Sequence, residues 1–156
     1  MVAQLRLLKL NRTSVLWMLT LVYMFSLVDR QIIGILSPII KADLGFTDAQ
    51  LGWLKGFAFA LLYTSVGIPL AWLADRFNRV RIIAISLVVW SAFTVLTGMA
   101  TTFVAMLLAR IGVGIGEAGG TPPAHSIISD LYAKEQRTSA LGIYGLGVPL
   151  GITLSF

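Results

Sequence analysis

The sequence predicts an all-α membrane protein with about five transmembrane helices. Three observations carry this reading. The chain is 57% hydrophobic and only 12% charged, with a mean hydropathy of +0.86, outside the range of an ordinary soluble domain. Its apolar residues fall in runs close to the roughly 20 residues needed to cross a bilayer. Its Lys and Arg residues gather in short clusters between those runs. A net charge of +5 raises nucleic acid as a partner, but basic residues laid out between apolar blocks are a topological signal, and nucleic-acid binding is set aside. With no cysteine in the chain, disulfides, thiol chemistry and Cys-based metal sites are excluded.

The elements follow in order. The first span covers about 14–40. Its apolar part, Val15 to Val28, leads into Asp29-Arg30 and not into a small-residue cleavage site, so it does not read as a removable leader. The second runs over 51–74, the third over 82–100 and the fourth over 103–131. The fifth begins near Thr138 and is still apolar at Phe156, so the chain is expected to end within it. Residues 41–50 carry the turn signals Gly45 and Asp48, and Thr101-Thr102 is barely a loop. Residues 1–156 thus read as one transmembrane bundle without a linker.

Counting cations orients the bundle. Arg6, Lys9 and Arg12 precede the first span, Arg76, Arg79 and Arg81 follow the second, and Lys134 and Arg137 follow the fourth. The opposite side has Lys41 and Lys55, with Asp43 and Asp48 nearby. Eight against two places the N-terminus and the 2–3 and 4–5 loops in the cytoplasm, as expected for a multi-pass protein of a plasma or inner membrane.

Four charges remain inside apolar segments: Asp29 and Arg30 in the first span, Arg110 and Glu117 in the fourth. A charge near the bilayer centre costs at least about 2.5–3.5 kcal/mol, so these groups should face a bundle interior or a wet cavity. Asp29 and Arg30 point roughly 100° apart and cannot share one stripe. Arg110 and Glu117 lie two turns apart on one face, about 10.5 Å along the axis, so each needs partners on other helices. Structural ion pairs that let two helices assemble would account for all four. A polar midplane cavity would too, with an acid exchanging a proton and an arginine attracting an anionic group. Burial and a neighbouring arginine act in opposite senses on a carboxyl, so an approaching substrate could switch Glu117.

Around Glu117 the chain reads RIGVGIGEAGGTPPAHS. Gly112, Gly114 and Gly116 do not make a dinucleotide fingerprint, because no strand precedes them and the spacing is GxGxG. Gly112–Gly116 and Gly116–Gly120 read as small-xxx-small pairs for close helix packing. Pro122-Pro123 free backbone carbonyls and predict a kink. His125, the single histidine, reads as a hydrogen-bonded structural group before a proton relay. In the hinge after the second span, Asp75 sits at a helix C-terminus, where the macrodipole disfavours an anion. Arg79, four residues on, can pair with it if the helix continues, and Asp130 can join Arg79 or Arg81.

The pattern GIPLAWLADRFNRVR resembles the signature 2–3 loop of the major facilitator superfamily. With LVDRQIIGILSPIIKADLGFTDAQLG and ARIGVGIGEAGGTPPAHSIISDLYAKEQRTSALGIYGLGVPLG it resembles the Spinster-type branch, from about Val15 onward. The resemblance implies the N-terminal half of a twelve-helix fold, with the substrate site between two six-helix halves. It implies that Asp29, Arg30 and Glu117 link protonation to alternating access. Asp75, Arg76 and Arg79 would belong to a gating loop that fastens the two halves, and Gly147, Pro149 and Gly151 resemble the glycine-proline motif of the fifth helix in exchangers. Two positions depart: Ala71 stands where glycine is usual, and Asn78 stands for the second glycine, where asparagine can still adopt a left-handed turn.

Two functional classes follow. One is a secondary transporter, proton-coupled, moving an amphiphilic or anionic organic solute such as a lipid-like molecule or organic acid, with Arg30 and Arg110 favouring a negative group. Its partners would be the solute, protons, the bilayer and the helices that complete the fold. The other is a truncated, non-transporting subunit packed on another polytopic membrane protein through its glycine faces. An enzyme is not expected, because no helix carries a nucleophile-base-orienter set or a metal-ligand cluster, and no cofactor is expected.

Overall fold

The computed structural model describes residues 11–156, with the side chains of 57–62 and 75 outside the description. Arg6 and Lys9 of the orientation count, and the side chain of Asp75, therefore lie outside the described residues. Every described element is helical: α1 (Arg12–Leu44), α2 (Asp48–Gly52), a π-helical turn (Trp53–Phe57), α3 (Ala58–Arg76), α4 (Arg79–Met99), α5 (Phe103–Ala118), α6 (Thr121–Leu131), α7 (Lys134–Gly145) and α8 (Gly147–Ser155). Among the described residues, four stretches are long and apolar enough to cross a membrane: Arg12–Leu44, Arg79–Met99, Phe103–Leu131 and Lys134–Ser155.

Local chemistry sets the boundaries. Gly45 closes α1 in the left-handed conformation (φ 67°), and its N–H bonds to Lys41 O. Thr47 and Gln50 form a reciprocal capping box that opens α2. Thr102 caps α5 through the N–H of Ala105. Asn78 departs from expectation. It sits at φ −67°, ψ 110°, in extended backbone, and its side chain accepts from the N–H groups of Val80 and Arg81. It serves as the N-cap of α4, which asparagine does as well as any residue, and needs no left-handed turn. α3 accordingly ends at Arg76, so no continuous helix carries Asp75 to Arg79.

The fourth span is broken rather than bent. α5 ends at Ala118, Gly119-Gly120 separate the segments, and Pro122 and Pro123 fall in the first turn of α6. Proline is accommodated there because first-turn N–H groups have no intrahelical acceptor. The fifth span starts earlier than expected, at Lys134, and is interrupted at Leu146, so that Pro149 again lies in a first turn.

Packing places the polar residues in a layer. Val15, Leu16, Leu19, Ile83, Ile127 and Ile128 form an apolar cluster with Ala140 and Tyr144 at one end of the bundle. Ile33, Phe46, Leu51, Leu54 and Met106 form a second at the other. Between them in sequence, on α1 and α5, lie the buried Ser26, Asp29, Arg110 and Glu117. The outer surface leaves Ile68, Val88 and Met99 at least 70% exposed, apolar to a degree that a water-facing surface rarely is.

The glycines decide how closely helices approach. A Cβ on Gly112 would fall 2.2 Å from the Phe93 ring, one on Gly116 2.6 Å from the Trp90 backbone nitrogen, and one on Gly119 2.0 Å from Ser86 Oγ. Gly112, Gly116 and Gly119 thus seat α5 on α4. Gly120 does not belong to that face: a Cβ there meets only Glu117 O, at 3.3 Å in its own turn. The break after Ala118 rotates Gly120 out of the helical repeat, and Gly119 takes the packing position. Gly147 and Gly151 seat α8 on α1, against Thr20 O (3.1 Å) and Met24 O (2.6 Å).

Candidate functional site

The four intramembrane charges form two ion pairs between α1 and α5. Arg30 Nε donates to Glu117 Oε2 at 2.6 Å, and Arg110 Nη1 lies 3.4 Å from Asp29 Oδ2. Because adjacent helical residues diverge by about 100°, Asp29 turns toward α4 and Arg110 while Arg30 turns toward Glu117. The two-turn separation of Arg110 and Glu117 lets α5 meet both. Removing either partner of such a buried pair leaves an uncompensated charge in low dielectric.

Neutral donors complete each pair. Ser26 Oγ donates to Glu117 Oε2 at 2.9 Å. Trp90 Nε1 donates to Asp29 Oδ2 at 3.0 Å and Thr94 Oγ1 lies 3.2 Å from the same oxygen. Ser26, Trp90 and Thr94 were missed in the sequence, yet a signal existed. Ser26 and Arg30 stand at i, i+4 on α1, and Trp90 and Thr94 stand at i, i+4 on α4, so each couple shares a helix face.

The Arg30 side chain is 28% exposed against 0% for that of Glu117, and its guanidinium lies over the Tyr63 ring, 4.8 Å from the centroid. Tyr63 OH is 3.3 Å from Thr121 Oγ1. Tyr144 stacks on Tyr23 at 4.8 Å, and His125 meets Tyr144 edge-on at 5.2 Å. Arg30 thus connects a buried acid to an aromatic wall. On the other side, Asp29, Arg110, Thr94 and Thr97 line a cavity of about 440 Å³ that continues along α1 to Asp43.

At the far end of α3, Arg79 pairs with Asp130, and Arg79 Nε donates to Ala74 O at 3.3 Å. Arg76 lies over Trp72, 4.0 Å from the ring centroid, and Arg81 is exposed. Of the expected hinge group, Arg79 and Asp130 therefore meet, while Arg76 and Arg81 point elsewhere. Arg12 closes the same end, with Nη1 3.2 Å from Gln136 Oε1 and its guanidinium 5.4 Å from the Tyr132 ring centroid.

An all-helical apolar bundle with paired charges in a central layer defines a membrane transport protein more readily than any other class. Comparison with known proteins agrees: the family model for the Major Facilitator Superfamily matches residues 19–156, and the chain belongs to that superfamily. Its members move small organic solutes across membranes and are not enzymes. The structure is similar, with TM-score 0.87 and 48% identity over 92% of the chain, to a bacterial homolog of the human lysosomal transporter Spinster, crystallised inward-facing and occupied. An MFS-type efflux pump of Mycolicibacterium smegmatis is 35% identical over 88% of the chain. A probable sulfoacetate transporter of Cupriavidus necator is 33% identical over 85%. The chain spans about a third of each of these proteins: 31%, 32% and 31% of their lengths.

Proposed function

We propose that these residues serve a secondary active transporter in which proton movement is coupled to the passage of an anionic or amphiphilic organic solute. The observation that carries this is the position of Arg30, bonded to buried Glu117 at 2.6 Å while its side chain remains 28% exposed beside Tyr63. One cation therefore has an internal carboxylate on one side and a partly exposed flank on the other. Protonation of Glu117 removes the internal counter-charge and releases the guanidinium to a solute anion. Arrival of the anion, conversely, competes Arg30 away and favours proton uptake by the acid. The aromatic wall of Tyr63, Tyr144 and Tyr23 offers apolar contact to the body of such a solute. The sulfoacetate relative supports an organic anion.

In this reading the N-terminus and the α3–α4 and α6–α7 turns face the cytoplasm, and the Arg79–Asp130 and Arg12–Gln136 contacts hold that side together. The experiment is uptake by the whole transporter in proteoliposomes across a pH series, with sulfoacetate and a lysophospholipid as probes. Glu117→Gln should abolish the pH dependence while leaving facilitated exchange. Unchanged pH dependence in that variant removes the coupling role.

A further inference from the structure

The third span reads as a plain apolar helix, but its inner face carries Trp90 and Thr94 to Asp29. Trp90 is 9% exposed, and its indole N–H, at 3.0 Å, is the nearest donor to Asp29 Oδ2. Thr94 Oγ1 follows at 3.2 Å and Arg110 Nη1 at 3.4 Å. The charged donor is thus the most distant of the three. Arg110 is loosely held in a second sense: its buried Nε has no hydrogen-bond partner among the described residues, although the side chain is 2% exposed. Trp90, by contrast, is fixed from behind. Gly116 lies against its backbone so closely that a Cβ would come within 2.6 Å of the nitrogen and 2.8 Å of Cα.

We propose that Trp90 and Thr94 form a fixed two-donor seat for Asp29, which makes α4 a positioning element of the polar layer and Arg110 the exchangeable partner. The proposal rests on the reading of Asp29 as a member of the proton-coupled layer. Its chemistry follows from the donors. An indole N–H only donates, so it stays on a carboxyl oxygen whether Asp29 is ionised or neutral. A threonine hydroxyl both donates and accepts, so it can turn to receive the carboxyl proton. Neither donor carries charge, so the seat holds the carboxylate without neutralising it. When Asp29 takes a proton, the seat persists and only Arg110 loses its counter-charge. Arg110 is then free toward the cavity of about 440 Å³ that it lines with Asp29 and Thr94. A Trp90 that merely filled space would show no such link to protonation.

The groups that bear on Asp29 are Trp90 and Thr94 from α4, Arg110 from α5, Glu117 from α5 through its charge, and on its own helix Arg30, itself engaged by Glu117. The test is ¹⁵N-indole NMR, in lipid nanodiscs, of the whole transporter that carries these residues. The chain contains 4 tryptophans, and the Trp90 signal is assigned by its loss in Trp90→Phe. The expected Trp90 indole proton lies downfield of the other three and moves with pH. Asp29→Asn should shift it and abolish the titration, whereas Glu117→Gln should leave the titration in place. Thr94→Val should displace the midpoint of that change, and Thr94→Ser should restore it. A Trp90 signal indifferent to Asp29→Asn, or one that does not titrate, overturns the proposal, and so does a titration that disappears in Glu117→Gln. If Trp90→Phe does not fold, the signal is assigned by elimination with Trp17→Phe, Trp53→Phe and Trp72→Phe, and the Asp29 and Thr94 variants decide the matter. Pyranine-reported proton flux in proteoliposomes is read separately: pH-independent transport by the unmutated protein would defeat the proposed function while leaving the indole result to stand on its own.

Discussion

Asp29 and Arg30 are neighbours in sequence and oppositely charged, yet they do not pair with each other. Asp29 engages Arg110 and Arg30 engages Glu117, so two adjacent α1 residues anchor two ends of a two-turn stretch of α5. The crossed arrangement keeps the hydrogen bonds of each pair local, while Glu117 and Asp29 still feel each other's charge. It also places one pair on the α4 side, beside the cavity, and the other on the Tyr63 side.

Coupling inside one pair should be large. Arg110→Gln strands Asp29, which has only neutral donors left, and is expected to destabilise the bundle by about 3–5 kcal/mol. The double variant Asp29→Asn/Arg110→Gln should be closer to the unmutated protein than the sum of the two single variants, because no buried charge remains unpaired. Thermal unfolding in detergent micelles, followed by circular dichroism, measures the four corners of the cycle. Strict additivity would show that the 3.4 Å contact carries no energy.

Glycine substitutions should rank by what the new Cβ meets. Gly116→Ala drives a methyl into the Trp90 backbone at 2.6 Å, where nothing can rotate away, and overpacking of this kind costs about 1–3 kcal/mol. Gly112→Ala meets Phe93 at Cγ, the root of the ring, which a ring flip does not move, and should cost a comparable amount. Gly120→Ala meets only Glu117 O at 3.3 Å and should be nearly silent. Melting temperatures of the three variants test the order, and a Gly120→Ala chain less stable than Gly116→Ala would reverse the packing assignment.

Some of this was legible in the sequence and some was not, for physical reasons. The apolar runs and the four intramembrane charges are set by what a bilayer tolerates, so they can be read residue by residue. The two-turn spacing of Arg110 and Glu117 already required partners on other helices. Which partners they take depends on how α1 rotates against α5, and no local pattern fixes that. Gly119 was overlooked because the small-xxx-small count assumes an unbroken helix, and the break after Ala118 shifts the repeat. Asn78 was read from its tolerance of a left-handed turn when its capping ability was the property in use. Trp90 and Thr94 were hidden because tryptophan and threonine sit comfortably in any apolar span, and only the position of Asp29 gives them a task.

At the Arg79–Asp130 contact the expected stability effect is small. The side chains are 23% and 43% exposed, and pairs with that much solvent contribute about 0–1 kcal/mol. Asp130→Asn should therefore change the melting temperature little, and less still in high salt. Its effect should fall instead on accessibility. A cysteine placed at Ser129, whose carbonyl receives Arg137 at 2.8 Å, should react faster with a water-soluble maleimide once Asp130 is neutralised. Equal rates in the two backgrounds would mean that the contact fastens nothing.

Orientation can be tested by the same chemistry, because these 156 residues contain no cysteine and an introduced thiol is unique among them. Thr101 joins α4 to α5, and Gln136 lies near the start of α7 beside Arg12. α5 and α6 together cover 103–131, enough to separate the two positions by one bilayer thickness. With the basic turns inside, Thr101→Cys should react with an impermeant maleimide in intact cells, and Gln136→Cys only after permeabilisation. The opposite pattern would invert the bundle. Labelling of both in intact cells would show that Phe103–Leu131 does not span the membrane, and the Arg30–Glu117 and Asp29–Arg110 pairs would then lose the low-dielectric surroundings on which their coupling depends.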